Sequence, residues 1–174
     1  VNRPPDDGSP RDLGDVLPPG FSRETKLRRD RHGRWLDGDE PMSHAAIERA
    51  FDRWIDRADD GRYILKNSVN WAYCAVEDAP VFVRQAVSHA AGVELVLSDG
   101  RLERLDPATL RASPDGVLYA QVRDGRLPAR FLASALQALG ELADEDDDGL
   151  VLQVGPARVR PPVAAAPLAW PLEP

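Results

Sequence analysis

Cysteine and lysine are nearly missing from this chain, and each shortage narrows the reading. Cys74 is the only cysteine, so no intramolecular disulfide can form, which fits a reducing, cytoplasmic setting. Lys26 and Lys66 are the only lysines; the other cations are arginines, a usage expected of a high-GC bacterial genome. No run is apolar for long enough to cross a bilayer, so no membrane partner is expected. The first residues lack a basic head followed by an apolar stretch, so no secretory signal is expected either. The formal net charge is −7, which opposes nonspecific grip on nucleic-acid phosphates. Gly-rich phosphate loops, paired Cys or His spacings and GxSxG elbows are all absent. No catalytic residue, metal or cofactor is therefore assigned, and a non-catalytic role is favoured.

What the chain does contain is a punctuated series of short apolar segments. At 174 residues, one or two small domains with a packed core are expected. Residues 1–22, rich in Pro, Asp and Gly, read as an arm that is disordered or laid over the surface. A first α+β unit is expected over 23–80. It opens with a hairpin of Thr25–Asp30 and Arg34–Asp37 that carries Trp35. Pro41 and Ser43 then start a helix, with Ser43 as its N-cap. Ile47, Ala50, Phe51, Trp54, Ile55 and Ala58 recur at helical spacing, which leaves Glu48, Arg49, Asp52 and Arg53 to the polar face. Strands follow at Tyr63–Leu65 and from Trp71 to Val76.

A second unit with connecting strands is expected over 81–160. Its strands are placed at Val81–Ser88, Val93–Leu97 and Val117–Arg123, with shorter ones near Leu102–Leu105 and Thr109–Ala112. A helix is expected from Pro128 to Ala143, burying Phe131, Leu132, Ala135, Leu139 and Leu142. Asp144–Asp148 lacks the alternating ligands of a calcium loop and reads as a solvated helix end. Leu150–Val154 and Ala157–Arg160 make a last hairpin. Residues 161–174 form a Pro/Ala-rich, extended tail that carries Leu168 and Trp170.

The two helical regions can be laid over each other. Asp37-Gly38 aligns with Asp124-Gly125, Pro41 with Pro128, and Asp60-Gly61 with Asp148-Gly149. With a one-residue insertion, Ile47, Ala50, Phe51 and Trp54 align with Ala135, Ala138, Leu139 and Leu142. Six features keep their order, so a duplicated strand–helix–hairpin unit is predicted. A lone unit of roughly 40 residues seldom holds together without a staple. The halves are therefore expected to pack on each other, and such an interface is the default place for a small-molecule cleft.

Gly33-Arg34-Trp35, Pro41-Met42-Ser43-His44, the helix to Phe51, Asp60-Gly61-x-Tyr63 and above all Val76-Glu77-Asp78-Ala79-Pro80 carry a family likeness. On these residues, roughly from Asp30 to Arg160, the chain resembles the DUF1285 family of bacterial proteins of unknown function. The resemblance implies an α+β protein with mostly antiparallel sheet, built by duplication, whose second half is loosely like a pleckstrin-homology (PH) fold. It also implies a nucleotide-like ligand between the halves and a signalling role. The chain departs from the family where Thr-Pro-Val-Glu-Lys is usual and Asn67-Ser68-Val69-Asn70-Trp71 stands instead. Trp71 could stack on a base there, or simply pack.

Glu77 and Asp78 could accept hydrogen bonds from a ligand amine or ribose, or instead fix the bend before Pro80. His44, beside the expected N-cap, could help hold a phosphate on free helix N–H groups. Arg126 and Arg130 are expected at the corresponding end of the second helix, where they could grip an anion. The expected lining residues are thus Glu77, Asp78, Trp71, His44 and Arg126. Cys74 reads as a buried small hydrophobe rather than a nucleophile. The leading expectation is a ligand-binding signalling or regulatory protein. The alternative is an adaptor that engages a protein partner through a sheet edge or the Pro-rich tail.

Overall fold

A computed structural model describes residues 22–146 and 149–164. Most of the expected arm, Asp147 and Asp148 of the acidic run, and the tail beyond Ala164 lie outside these residues. Strand β1 (Leu27–Arg29) turns through Arg31-His32-Gly33 into the antiparallel β2 (Trp35–Asp37), which hairpins into β3 (Glu40–Pro41). Helix α1 (Ala45–Trp54) follows, and then a three-stranded antiparallel meander of β4 (Ile55–Arg57), β5 (Tyr63–Lys66) and β6 (Trp71–Tyr73). Strand β7 (Ala75–Val76) returns parallel to β1 and completes a four-stranded sheet.

The rest of the chain repeats the theme on a larger sheet. Strands β8 (Val81–His89), β9 (Gly92–Leu97) and β10 (Leu102–Arg104) run antiparallel to one another. A 3-10 turn at Pro107–Thr109, capped by Asp106, leads to β11 (Arg111–Ala112), β12 (Leu118–Val122) and β13 (Leu127–Phe131). The six strands lie in the order β10-β9-β8-β13-β12-β11, with the β13–β8 pair parallel. Helix α2 (Ala133–Gly140) packs against β8. A second three-stranded antiparallel meander follows: β14 (Ala143–Asp146), β15 (Gly149–Val154) and β16 (Ala157–Val159). The protein is α+β with mostly antiparallel sheet, and each helix is preceded by an Asp-Gly hairpin and followed by a meander.

The core is continuous across both halves. Trp35, Ile55 and Leu65 of the first half join one buried cluster with Val81, Leu95, Leu127, Phe131, Leu139 and Leu152 of the second. Beside it lies a buried ion pair of a kind that packing rarely admits. Arg29 and Asp52, 2% and 4% exposed, form an ion pair, and Trp35 donates its indole N–H to the same Asp52 oxygen at 2.9 Å. The Arg29 guanidinium lies near the rings of Trp35 and Phe82, at 5.0 and 4.8 Å. Burial pulls its pKa down from the ordinary value, and the Asp52 charge opposes that shift.

Four expectations are corrected. The N-cap of α1 is His44, not Ser43, and its side chain makes no capping bond. The helix ends at Trp54 because Ile55 leaves it to pair with Leu65 in β4–β5. Asp52, assigned to the polar face, is buried, whereas Ile47 is 39% exposed. Lastly, α2 is shorter than expected: Leu127–Phe131 is a central strand and Asp144–Asp146 belongs to β14. Pro128 is tolerated in β13 because it faces Gln121 of β12 one residue before pairing with β8 begins, at Ala129↔Val81.

Candidate functional site

Between the halves lies an open cleft of about 900 Å³. One wall comes from the end of α1 and the first meander: Arg53, Trp54, Ile55, Asp56 and Lys66. The other comes from the edge of the six-stranded sheet: Arg101, Glu103, Arg104, Asp106, Thr109 and the β12–β13 turn from Gln121 to Arg126. Most of the lining is polar. Six cationic side chains face four acidic ones, so the cleft is locally positive in a chain whose net charge is −7.

The floor is held by Arg123. Its guanidinium donates to the carbonyl of Asp52 at 2.8 Å, to the carbonyl of Ile55, and to Asp99 Oδ2 at 2.8 Å. It thereby caps the C-terminal carbonyls of α1 with a cation, where the helix dipole favours one. Its own backbone N–H donates to Glu103 Oε2 at 2.8 Å. These bonds hold Arg123 and Asp124 in the left-handed region, at φ 53° and 57°, a conformation that costs a non-glycine residue energy. At the mouth, Arg126 bridges to Asp56 of the opposite wall at 3.0 Å. Among the described residues Arg53 and Lys66, both exposed, have no ion-pair partner.

The expected lining residues separate into two places. Arg126 lines the main cleft. It also joins Trp71 in an adjoining recess of about 230 Å³, which shares Asp56 and Lys66 with the cleft. Arg126 lies in the β12–β13 turn and Arg130 in β13, not at the start of α2. Trp71 is half-buried, stacked by Arg23 at 3.9 Å and edge-on to Tyr73. His44, Glu77 and Asp78 do not line the cleft.

The acidic bend instead ties strands together. Glu77 pairs with Arg28 and accepts the backbone N–H of Arg31 at 3.3 Å. Asp78 accepts the Tyr119 hydroxyl at 3.0 Å and the Arg130 guanidinium at 2.6 Å. Burial, then this bond to Asp78, raise the Tyr119 phenol to about 12. Cys74 is buried, and that burial pushes its thiol up to about 12. No group of three or more His, Cys, Asp or Glu side chains among the described residues is placed to hold a metal ion. No helix among them is long and apolar enough to cross a membrane.

The residues that sequence reasoning missed are Arg53, Lys66 and Arg123. Lys66 carried one visible signal, as one of only two lysines in a chain that otherwise uses arginine. Arg53 and Arg123 looked like any other surface arginine, since nothing local shows that both reach the same cleft.

The fold and site together define an α+β protein with an open, net-cationic cleft between two halves, with Trp54 as its one aromatic lining residue. Two solved structures share this fold. A DUF1285 family protein from Silicibacter pomeroyi DSS-3 superposes with a TM-score of 0.63 at 18% identity, over 83% of this chain and 81% of that one. A DUF1285 family protein from Shewanella baltica OS155 gives 0.56 at 19% identity, over 69% of this chain and 94% of that one. These likenesses show the fold, and they agree with the DUF1285 resemblance. No family model matches the chain, and no curated protein matches it.

Proposed function

We propose that this chain is a DUF1285-type, non-catalytic protein that binds an anionic, ring-bearing small molecule, nucleotide-like in chemistry, in the cleft between its halves. The observation that carries this reading is the pair of unpartnered cations, Arg53 and Lys66, in a locally positive cleft of an acidic chain. Trp54 in the cleft offers a face for a base, and Trp71 in the adjoining recess would offer one on displacing Arg23, which stacks on it at 3.9 Å. Arg126 can turn from Asp56 to a ligand anion. Arg123 supports the floor but is committed to α1, so it positions rather than binds. We further infer that the halves are duplicated units, because hairpin, helix and meander recur in one order. Binding in such a cleft would suit a regulatory or signalling role in the cytoplasm.

A thermal-shift screen of nucleotides and inorganic phosphate against the whole chain tests this. A specific binder raises the melting temperature with concentration, by about 2.7 kcal/mol of stability at a hundredfold excess over Kd. Absence of any concentration-dependent shift would contradict the reading. The adaptor alternative draws on a different observation: β10 is an edge strand of the large sheet, and its Leu102 is 61% exposed. A Leu102→Lys change that abolished capture of a protein partner and left nucleotide response intact would favour it.

A further inference from the structure

On the far side of α2 lies a second, chemically opposite groove. It holds about 590 Å³ and is mostly apolar, lined by Leu118 of β12, Leu136 and Leu139 of α2, Ala143 of β14 and Leu152 of β15, with Arg160 as its one charged lining residue. Val163, 70% exposed, stands on its rim. A groove of this size left open to water is unfavourable, and patches of this kind mark docking sites.

The chain itself leads to it. Pro162 and Ala164 add to the free edge of β11: Ala112 donates to the Pro162 carbonyl at 2.9 Å, and Ala164 donates to the Ala112 carbonyl at 2.8 Å. The bridge between Ala112 and Val163 is parallel. Up to Ala164 the chain therefore runs in the direction that β11 takes towards Ser113 and Pro114, both of which line the groove. The sequence that follows, Ala165-Ala166-Pro167-Leu168-Ala169-Trp170-Pro171-Leu172, places bulky apolar residues at every second position. An extended chain turns such residues to one face. Extended, Leu168 to Leu172 spans up to about 13 Å, against about 12 Å for the eight residues of α2 along the groove.

We propose that Leu168, Trp170 and Leu172 of the same chain seat in this groove, so that the tail acts as an intramolecular strap over α2 and β12. The strap is separate from the cationic cleft, and its success or failure says nothing about ligand binding there. It also competes directly with any use of the tail as a ligand for another protein.

The test is fluorine NMR of the full chain carrying 5-fluorotryptophan, with Trp170 assigned by Trp170→Phe. The other three tryptophans, Trp35, Trp54 and Trp71, report on the fold. The expected result is a Trp170 resonance displaced from its position in the urea-unfolded chain and shielded from a soluble paramagnetic quencher. Gly140 lines the groove, and a side chain there meets no atom within 4 Å of its Cβ. Gly140→Phe should therefore fill the groove, returning Trp170 to the unfolded position while the Trp35 resonance stays in place. A Trp170 signal at the unfolded position in the unsubstituted chain would overturn the proposal. So would a displaced signal that Gly140→Phe leaves unmoved, or one that collapses on dilution as a dimer dissociates, which would assign the groove to a second copy's tail. Should Gly140→Phe disturb Trp35, the quencher comparison in the unsubstituted chain decides by itself.

Discussion

Asp52 reaches both halves of the protein with a single residue. Its carboxylate holds Arg29 of β1 and the Trp35 indole of β2, lies 3.5 Å from Arg84 of β8, and its carbonyl receives Arg123 from the β12–β13 turn. Removing one partner of a buried ion pair strands the other charge, at a cost of roughly 3–5 kcal/mol. Asp52→Ala should therefore lower unfolding stability by about that much in urea titrations, and a loss below about 1 kcal/mol would show that water reaches Arg29. Asp30 gives a pH prediction. Burial alone would raise its carboxyl, but hydrogen bonds from the Arg34 backbone and side chain and from the His32 N–H outweigh it and the net shift is downward. A lowered carboxylate stabilises the fold above its unfolded value near about 3.9, and that contribution is lost as pH falls through the lower folded value. Asp30→Asn should flatten the acid limb of the stability profile below about pH 4; an unchanged limb would assign acid unfolding to other carboxylates. Neither role was legible beforehand. An acidic residue on a helix looks solvent-facing until the distant arginine that receives it is known.

At the scale of elements, the β12–β13 turn and the β15–β16 turn are two places where backbone geometry is demanding. Arg123 adopts a left-handed conformation because its side chain caps α1. Arg123→Ala loses the cap and keeps the strain, whereas Arg123→Gly loses the cap and relieves the strain. The glycine variant should be the more stable by about 1 kcal/mol, as read by denaturation midpoints; equal losses would mean that the strain is not borne at this residue. Gly155, at φ 57°, brings its turn against the β8–β9 hairpin, where an added Cβ would sit 2.9 Å from Ala91 C and Gly92 N. Gly155→Ala should destabilise by more than about 1 kcal/mol, and a neutral effect in the same assay would show that the hairpin can shift.

The elements themselves were read unevenly. Both amphipathic helices, the Asp37-Gly38 and Asp124-Gly125 turns and the long strands from Val81 and Val117 were visible, because period and turn chemistry are local signals. The entry to α2 was misjudged because Pro128 looks like a helix start when its strand neighbours are unknown. The end of α1 was misjudged because Ile55 continues the helical spacing while its backbone pairs with Leu65.

For the whole molecule, the account rests on two halves that share one core and leave a charged cleft between them. A cleft between packed halves was the expectation drawn from the proposed repeat; the residues that line the one seen here, Arg126 apart, were not among those expected. The bend at Glu77-Asp78 is the most family-like stretch, yet its carboxylates are engaged by Arg28, Arg31, Arg130 and Tyr119. The cations Arg53, Lys66, Arg123 and Arg126 come from α1, β5 and the β12–β13 turn, and no spacing in the sequence relates these three elements. The most direct test is calorimetric titration of the full chain with an adenine nucleotide, beside the Lys66→Ala and Arg53→Ala variants. These side chains are exposed and unpaired, so their loss should leave the melting temperature of the free protein unchanged. A charged hydrogen bond is worth roughly 1.5–3 kcal/mol, so each substitution should weaken saturable binding about tenfold or more. Binding of equal strength in all three proteins, or none in the unsubstituted chain, would contradict the assignment of the cleft.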